Sequence, residues 1–291
     1  MASIRTDRPA GEALRRLARK TLASLATDFE RAAAGHGVHA ARRRLKFMRS
    51  LLRLLRPAIG EAAFGKADRR LRAAAHAIAG ARRAEAMQEA VAKLGPKDRA
   101  ALTGLARLAA AAHGHEAAPQ VLSTAAAGAK RGIEKVRGAI NGWRLPKRGI
   151  APFAKSLRDA YGTARRKLRQ GLAANDIARL HEARKSVIHH LHHLEILEPL
   201  WPDPLRVRGI KLTNLRETLG DLNDLEELER LANASAAKFS QPESLAEALN
   251  AIAARRVRLL ARAGYQARLL FAERPRAFAG RIGAIWRGRP V

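Results

Sequence analysis

Cysteine is absent from this sequence, so disulfides and thiolate metal sites are excluded and no redox compartment is indicated. Aromatic residues make up only 4% of the chain, which leaves few platforms for stacking the bases of a single-stranded nucleic acid. Acidic residues are also few: 26 Asp and Glu stand against 56 Lys and Arg, a formal charge of +30. With a sequence pI near 11.7, this balance speaks of partners rather than fold. It points to a polyanion: nucleic acid, an anionic membrane surface or polymeric phosphate. No run of about 18 apolar residues occurs, so no membrane span is predicted. The opening stretch, MASIRTDRPAGEALRRLARK, has no apolar h-region, and the expectation is a cytoplasmic protein. No stretch alternates with period two, so the usual sign of a half-buried strand is missing.

What is present is a repeat. From His39 the chain reads HAARRRLKFMRSLLRLLRP, and from His181 it reads HEARKSVIHHLHHLEILEP. At a constant offset of 142, Ala41, Arg42, Leu52, Leu55 and Pro57 fall on Ala183, Arg184, Leu194, Leu197 and Pro199 without a gap. Arg43 meets Lys185, Leu45 meets Val187 and Leu54 meets Ile196. Such a match across half the chain indicates duplication of a helical unit headed by His-x-x-Arg-(Arg/Lys).

Alanine, leucine and arginine predict helix almost throughout. A first helix opens at Asp7 or Pro9, with Leu14, Leu17, Leu22 and Leu25 inward and Arg15, Arg16, Arg19 and Lys20 outward. The second, about His39 to Arg56, carries an apolar stripe of Ala41, Leu45, Met48, Leu52 and Leu55. Beside it runs a basic stripe of His39, Arg42, Lys46, Arg49, Arg53 and Arg56. Gly60 and Gly65 should bracket the turn into a third helix that ends at Gly95-Pro96. Asn141, Gly142, Pro146, Gly149 and Pro152 mark a linker near the midpoint, separating halves at residues 1–145 and 146–291. In the second half, Asn175 or Asp176 can cap the His181 helix. Helices follow over about 211–231 and 242–270, and the tail is predicted to hold short helical pieces at best. The expected class is all-α, as two antiparallel helical bundles.

His-x-x-Arg-Lys early in a helix, followed one helix later by Leu219-Gly220-Asp221-Leu222-Asn223-Asp224, resembles the CHAD family, the conserved-histidine α-helical domain. The likeness runs from about residue 8 to 280. It implies two pseudo-symmetric bundles around a basic central channel, binding inorganic polyphosphate without catalysis, often at polyphosphate granules. Carried over by motif, His39, Arg42 and Arg43 occupy the first head and His181, Arg184 and Lys185 the second. Lys46 and Arg49 stand where the family has further basic residues; the second half has Ile188 and Leu191 there, with His189 and His190 beside them. The Leu-Gly-x-x-(Arg/Asn)-Asp element is intact at Leu219, Gly220, Asn223 and Asp224, and degraded to Ala79, Gly80, Arg83 and Ala84 in the first half. Arg53, Arg83, Lys155, Arg158, His189, Lys211 and Arg216 complete the candidate contacts.

Chemistry agrees with such a ligand. A polyphosphate offers only oxygen acceptors and negative charge, which Arg forks and Lys point charges match. Arg42, Lys46, Arg49 and Arg53, three or four residues apart, place cations along one helix face. The run His189-His190-Leu191-His192-His193 invites a metal reading through the i,i+4 pair His189 and His193, but its cationic surroundings disfavour a dication, and the rings are expected either to pack or to contact the anion. No cofactor is expected. No Walker A loop, Gly-x-Ser-x-Gly or HExxH occurs, and Glu226, Glu227 and Glu229 are expected to pair with bases, so a binding protein rather than an enzyme is predicted. Nucleic-acid binding is the rival reading, supported by charge alone.

Overall fold

The computed structural model describes residues 3–34, 36–78, 83–94, 104–109, 119–146, 149–238 and 242–288. The helices are α1 (Ala10–Ala33), α2 (Val38–Ala77), α3 (Arg83–Ala92), a short α4 (104–109) and α5 (Pro119–Ala139), then α6 (Ala151–Ala173), α7 (Ile177–Leu197), α8 (Pro202–Ala234), α9 (Pro242–Leu270) and α10 (Pro275–Gly288). No strand occurs among the described residues, so the protein is all-α. Among them, no helix is long and apolar enough to cross a membrane.

Helical periodicity decides what is buried. On α1, Leu14, Leu17, Leu22 and Leu25 face inward with Phe29, and on α2 so do Ala41, Leu45, Met48, Leu52 and Leu55. In the first half α1, α2 and α5 pack on one another. In the second, α6 packs on α7, α7 on α8 and α8 on α9, while α10 folds back on α6. Contacts of α2 with α6 and α7 join the halves, and one hydrophobic core runs from Ile4 to Trp286.

Three local expectations are revised. The turn after Arg56 is a kink, not a loop: Gly60 alone leaves helical geometry (φ 79°), and Gly65 lies within the continuing helix. Glycine takes that left-handed angle without a Cβ penalty. The tail is a full fourteen-residue helix, α10. Phe278, Ile282 and Trp286, four residues apart, are buried on one side of it, and that burial overrides the glycines that lower its propensity. Arg15 does not point to solvent; its guanidinium donates to the carbonyls of Asn141 and Trp143 and clamps the mid-chain linker onto α1. Gly11 permits this, because a Cβ there would stand 2.3 Å from the Pro146 carbonyl oxygen. The predicted break at Gly95-Pro96 and the pair Ala79-Gly80 lie outside the described residues.

Candidate functional site

The basic stripe of α2 faces one side of α6 and α7, and between them lies a cleft of about 900 Å³. From α2 come Lys46, Arg49, Arg53 and Arg56. From α6 come Lys155, Asp159, Thr163 and Lys167, four residues apart and so on one face. From α7 come His181, Arg184, Lys185, Ile188, His189 and His193. Asp176 fixes where α7 begins: its Oδ1 accepts from the Arg179 N–H at 2.9 Å, which places His181 in the second turn.

Eight cationic side chains and three carboxylates line the cleft, so its charge is strongly positive. The carboxylates hold cations in place. Glu61 takes a two-pronged contact from Arg56 (2.7 Å each), Asp159 binds Lys155 (3.3 Å), and Glu182 lies 3.8 Å from Lys167 and also binds Lys185. These pairs are exposed and individually weak, so an incoming anion can replace them at small cost. Behind the α2 stripe, Asp68 is buried and gathers three arginines: Arg49 at 3.1 Å, Arg53 at 3.6 Å and Arg72 at 3.2 Å. It lets two like charges, Arg49 and Arg53, point into one cleft.

The histidine run takes the packing role rather than the cationic one. Ser50 of α2 donates to the Lys46 carbonyl at 2.9 Å, and its oxygen lies 2.8 Å from both His189 Nδ1 and His192 Nδ1. One hydroxyl has one proton and two lone pairs, so both rings must donate from Nδ1. His193 donates from Nε2 to the Ser50 carbonyl oxygen at 2.9 Å. Burial, reinforced by Arg53 and neighbouring histidines, pushes His189 down to about 2. Burial likewise pushes His192 to about 3 and His193 to about 4. His190 is outside the cleft, packed among Tyr161, Phe271 and Phe278 and held neutral by burial. These four rings weld α7 to its neighbours; as neutral groups they supply no charge for an anion.

The Leu-Gly-x-x-Asn-Asp element supports the second motif from behind. Asn223 lies beside His181, whose affinity for protons is lowered by burial and by Lys185 and Arg184. Arg184 donates from Nε to the Arg216 carbonyl at 3.2 Å and lies across Gly220, where a Cβ would come within 3.3 Å of the guanidinium. Asp221 ties α8 to α3 through Lys93 at 2.8 Å. Asp224 is raised by burial, with Arg184 opposing the shift. As expected, Glu226 and Glu229 bind Arg256, and Glu227 binds Arg230.

Of the residues singled out in the sequence, Lys46, Arg49, Arg53, Lys155, His181, Arg184, Lys185 and His189 come together in the cleft. His39, Arg42 and Arg43, at the start of α2, do not line it. Nor do Lys211, which is exposed on α8, and Arg216, which pairs with Glu217. Arg158 borders a neighbouring groove. Arg83 is in α3, and its side chain lies outside the described residues. Arg56 and Lys167 are cleft residues that the motif did not select, although Arg56 follows Arg53 by three residues and Lys167 follows Thr163 by four, spacings that put each pair on one helix face. Glu195, which replaces a cation of the first repeat, is half-buried and pushed up to about 7 by burial, so it is only partly charged near neutral pH.

Fold and site together define an all-helical protein with a cationic cleft latched by its own carboxylates. Its sequence matches the CHAD domain family over residues 12–233, and the chain belongs to that family. No curated protein and no solved structure matches it.

Proposed function

We propose that the protein binds inorganic polyphosphate, without chemical turnover, in the cleft between α2, α6 and α7. The observation that carries this is the cleft's composition: eight Arg and Lys side chains converge there against three carboxylates. Membership of the CHAD family, associated with polyphosphate, supports it. No Phe, Tyr or Trp is among the described residues that line the cleft, so the bases of a nucleic acid would find no stacking platform. A thin, flexible chain of phosphates suits an enclosed cationic cleft better than a wide duplex does. In this reading the cleft is the basic channel between two pseudo-symmetric halves, 1–145 and 146–291. The protein is cytoplasmic and can be carried to polyphosphate granules by its ligand.

Titration with long-chain polyphosphate and with double-stranded DNA, matched in charge and salt, tests the reading. Tighter binding of polyphosphate is expected, weakening steeply as salt rises because bound cations release counterions. Equal or better affinity for DNA would overturn it in favour of nucleic-acid binding.

A further inference from the structure

α6 carries arginines on a second face as well. There, Arg158, Arg165 and Arg166 meet Arg274 and Arg276 at the start of α10 around a groove of about 850 Å³. Asp159 is the single carboxylate among the groove's described lining residues. Gly162 lets the two helices close up, since a Cβ there would already press on the Pro275 ring at 3.3 Å. Arg165 is fixed by donating to the Phe271 carbonyl at 2.8 Å. Arg166, Arg274 and Arg276 have no carboxylate within ion-pair distance among the described residues. The first turn of α10 borders the groove, and a helix N-terminus leaves backbone N–H groups and a partial positive charge that favour anions.

The groove is continuous with the cleft, because Asp159 and Thr163 line both. Its α10 side, with Arg274 and Arg276, lies beyond the residues 12–233 that match the family. We propose that this groove between α6 and α10 is a second anion site, which takes the run of a polyphosphate chain that extends past the cleft. The inference rests on the polyphosphate reading of the cleft and adds a chain-length dependence to it: short chains use the cleft alone, long chains use both.

The test compares tripolyphosphate with long-chain polyphosphate on three proteins. These are the wild type, a groove variant (Arg166→Ala, Arg274→Ala, Arg276→Ala) and a control that removes equal charge from exposed positions on α9 (Arg258→Ala, Arg262→Ala, Arg268→Ala). The groove variant should bind tripolyphosphate as the wild type does and long chains about tenfold or more weakly, the scale of one lost charge-assisted contact. The control should keep both affinities. Unchanged long-chain binding in the groove variant, or an equal loss in the control, would overturn the groove while leaving the cleft reading intact. A wild type that binds neither polymer would overturn the cleft reading itself. Circular dichroism checks folding. If the triple variant loses helix, Arg274→Gln with Arg276→Gln, both exposed, carries the same comparison.

Discussion

Ser50 and His192 stand 142 positions apart, the offset between the two copies of the repeated motif, and their side chains meet at 2.8 Å. The flanking contacts are reciprocal. Ser50 meets His189, while His192 packs edge-on against Phe47, the residue equivalent to His189, with ring centroids 5.5 Å apart. A contact in which i touches j and the equivalent of j touches the equivalent of i is what a two-fold relation requires at its axis. Helices α2 and α7 therefore cross at matching points, and the proposed pseudo-symmetry of the halves is built on that crossing.

Replacing Ser50 by Ala removes the acceptor shared by two buried imidazole N–H groups. The expected loss of stability is about 1–3 kcal/mol, the cost of leaving buried donors unsatisfied. Urea denaturation with the slope held constant reads it out. An unchanged midpoint would show that the two rings find water or another partner.

Acid should unfold this protein early. The folded values of His189, His192 and His193, about 2, 3 and 4, all lie below the usual imidazole value, because burial disfavours the charged ring. Groups depressed in the fold contribute stability that is full above about pH 6.5 and is lost as pH falls toward those values, at about 1.4 kcal/mol per pH unit for each ring. Thermal melts from pH 7.5 to 4.5 should fall steeply, and His193→Gln should flatten the fall. A melting temperature independent of pH over that range would refute the neutral-histidine account.

Asp68→Asn keeps an oxygen for Arg49 but removes the charge that offsets Arg49, Arg53 and Arg72. The free protein should lose about 1–3 kcal/mol of stability. Affinity for polyphosphate should rise, since more positive charge is left for the ligand to neutralise. A drop in affinity at full helicity would mean that Asp68 matters chiefly as an anchor.

The two repeats should grip unequally. Lys46 and Arg49 have Ile188 and Leu191 as their equivalents, so the second repeat has apolar side chains where the first brings two cations to the cleft. At roughly 1.5–3 kcal/mol per charge-assisted contact, Lys46→Ala with Arg49→Ala should cost more affinity than Arg184→Ala with Lys185→Ala. Titrations at pH 8 with helicity monitored decide it, and equal losses would show that the asymmetry is not used. Arg42 does not line the cleft, so Lys46 and Arg49 are the first-repeat pair to remove.

Helix content, the repeat and the basic stripe of α2 were legible in the sequence because each depends on near neighbours: propensity, an offset of 142, and residues three or four apart on one helix face. The CHAD family was legible for the same reason, through two short motifs. Which cations share a site was not. Lys155 and Lys167 reach Lys46 and Arg53 only because α6 packs across the midpoint onto α2, a contact between residues about a hundred positions apart. Asp68 reads as an isolated acid until folding surrounds it with three arginines. The histidine run left packing and anion contact both open in the sequence, and burial against Ser50, Tyr161 and Phe271 decided for neutral, structural rings. Local chemistry along the chain determined the elements and their charge; desolvation and long-range packing decided which of those charges face a ligand.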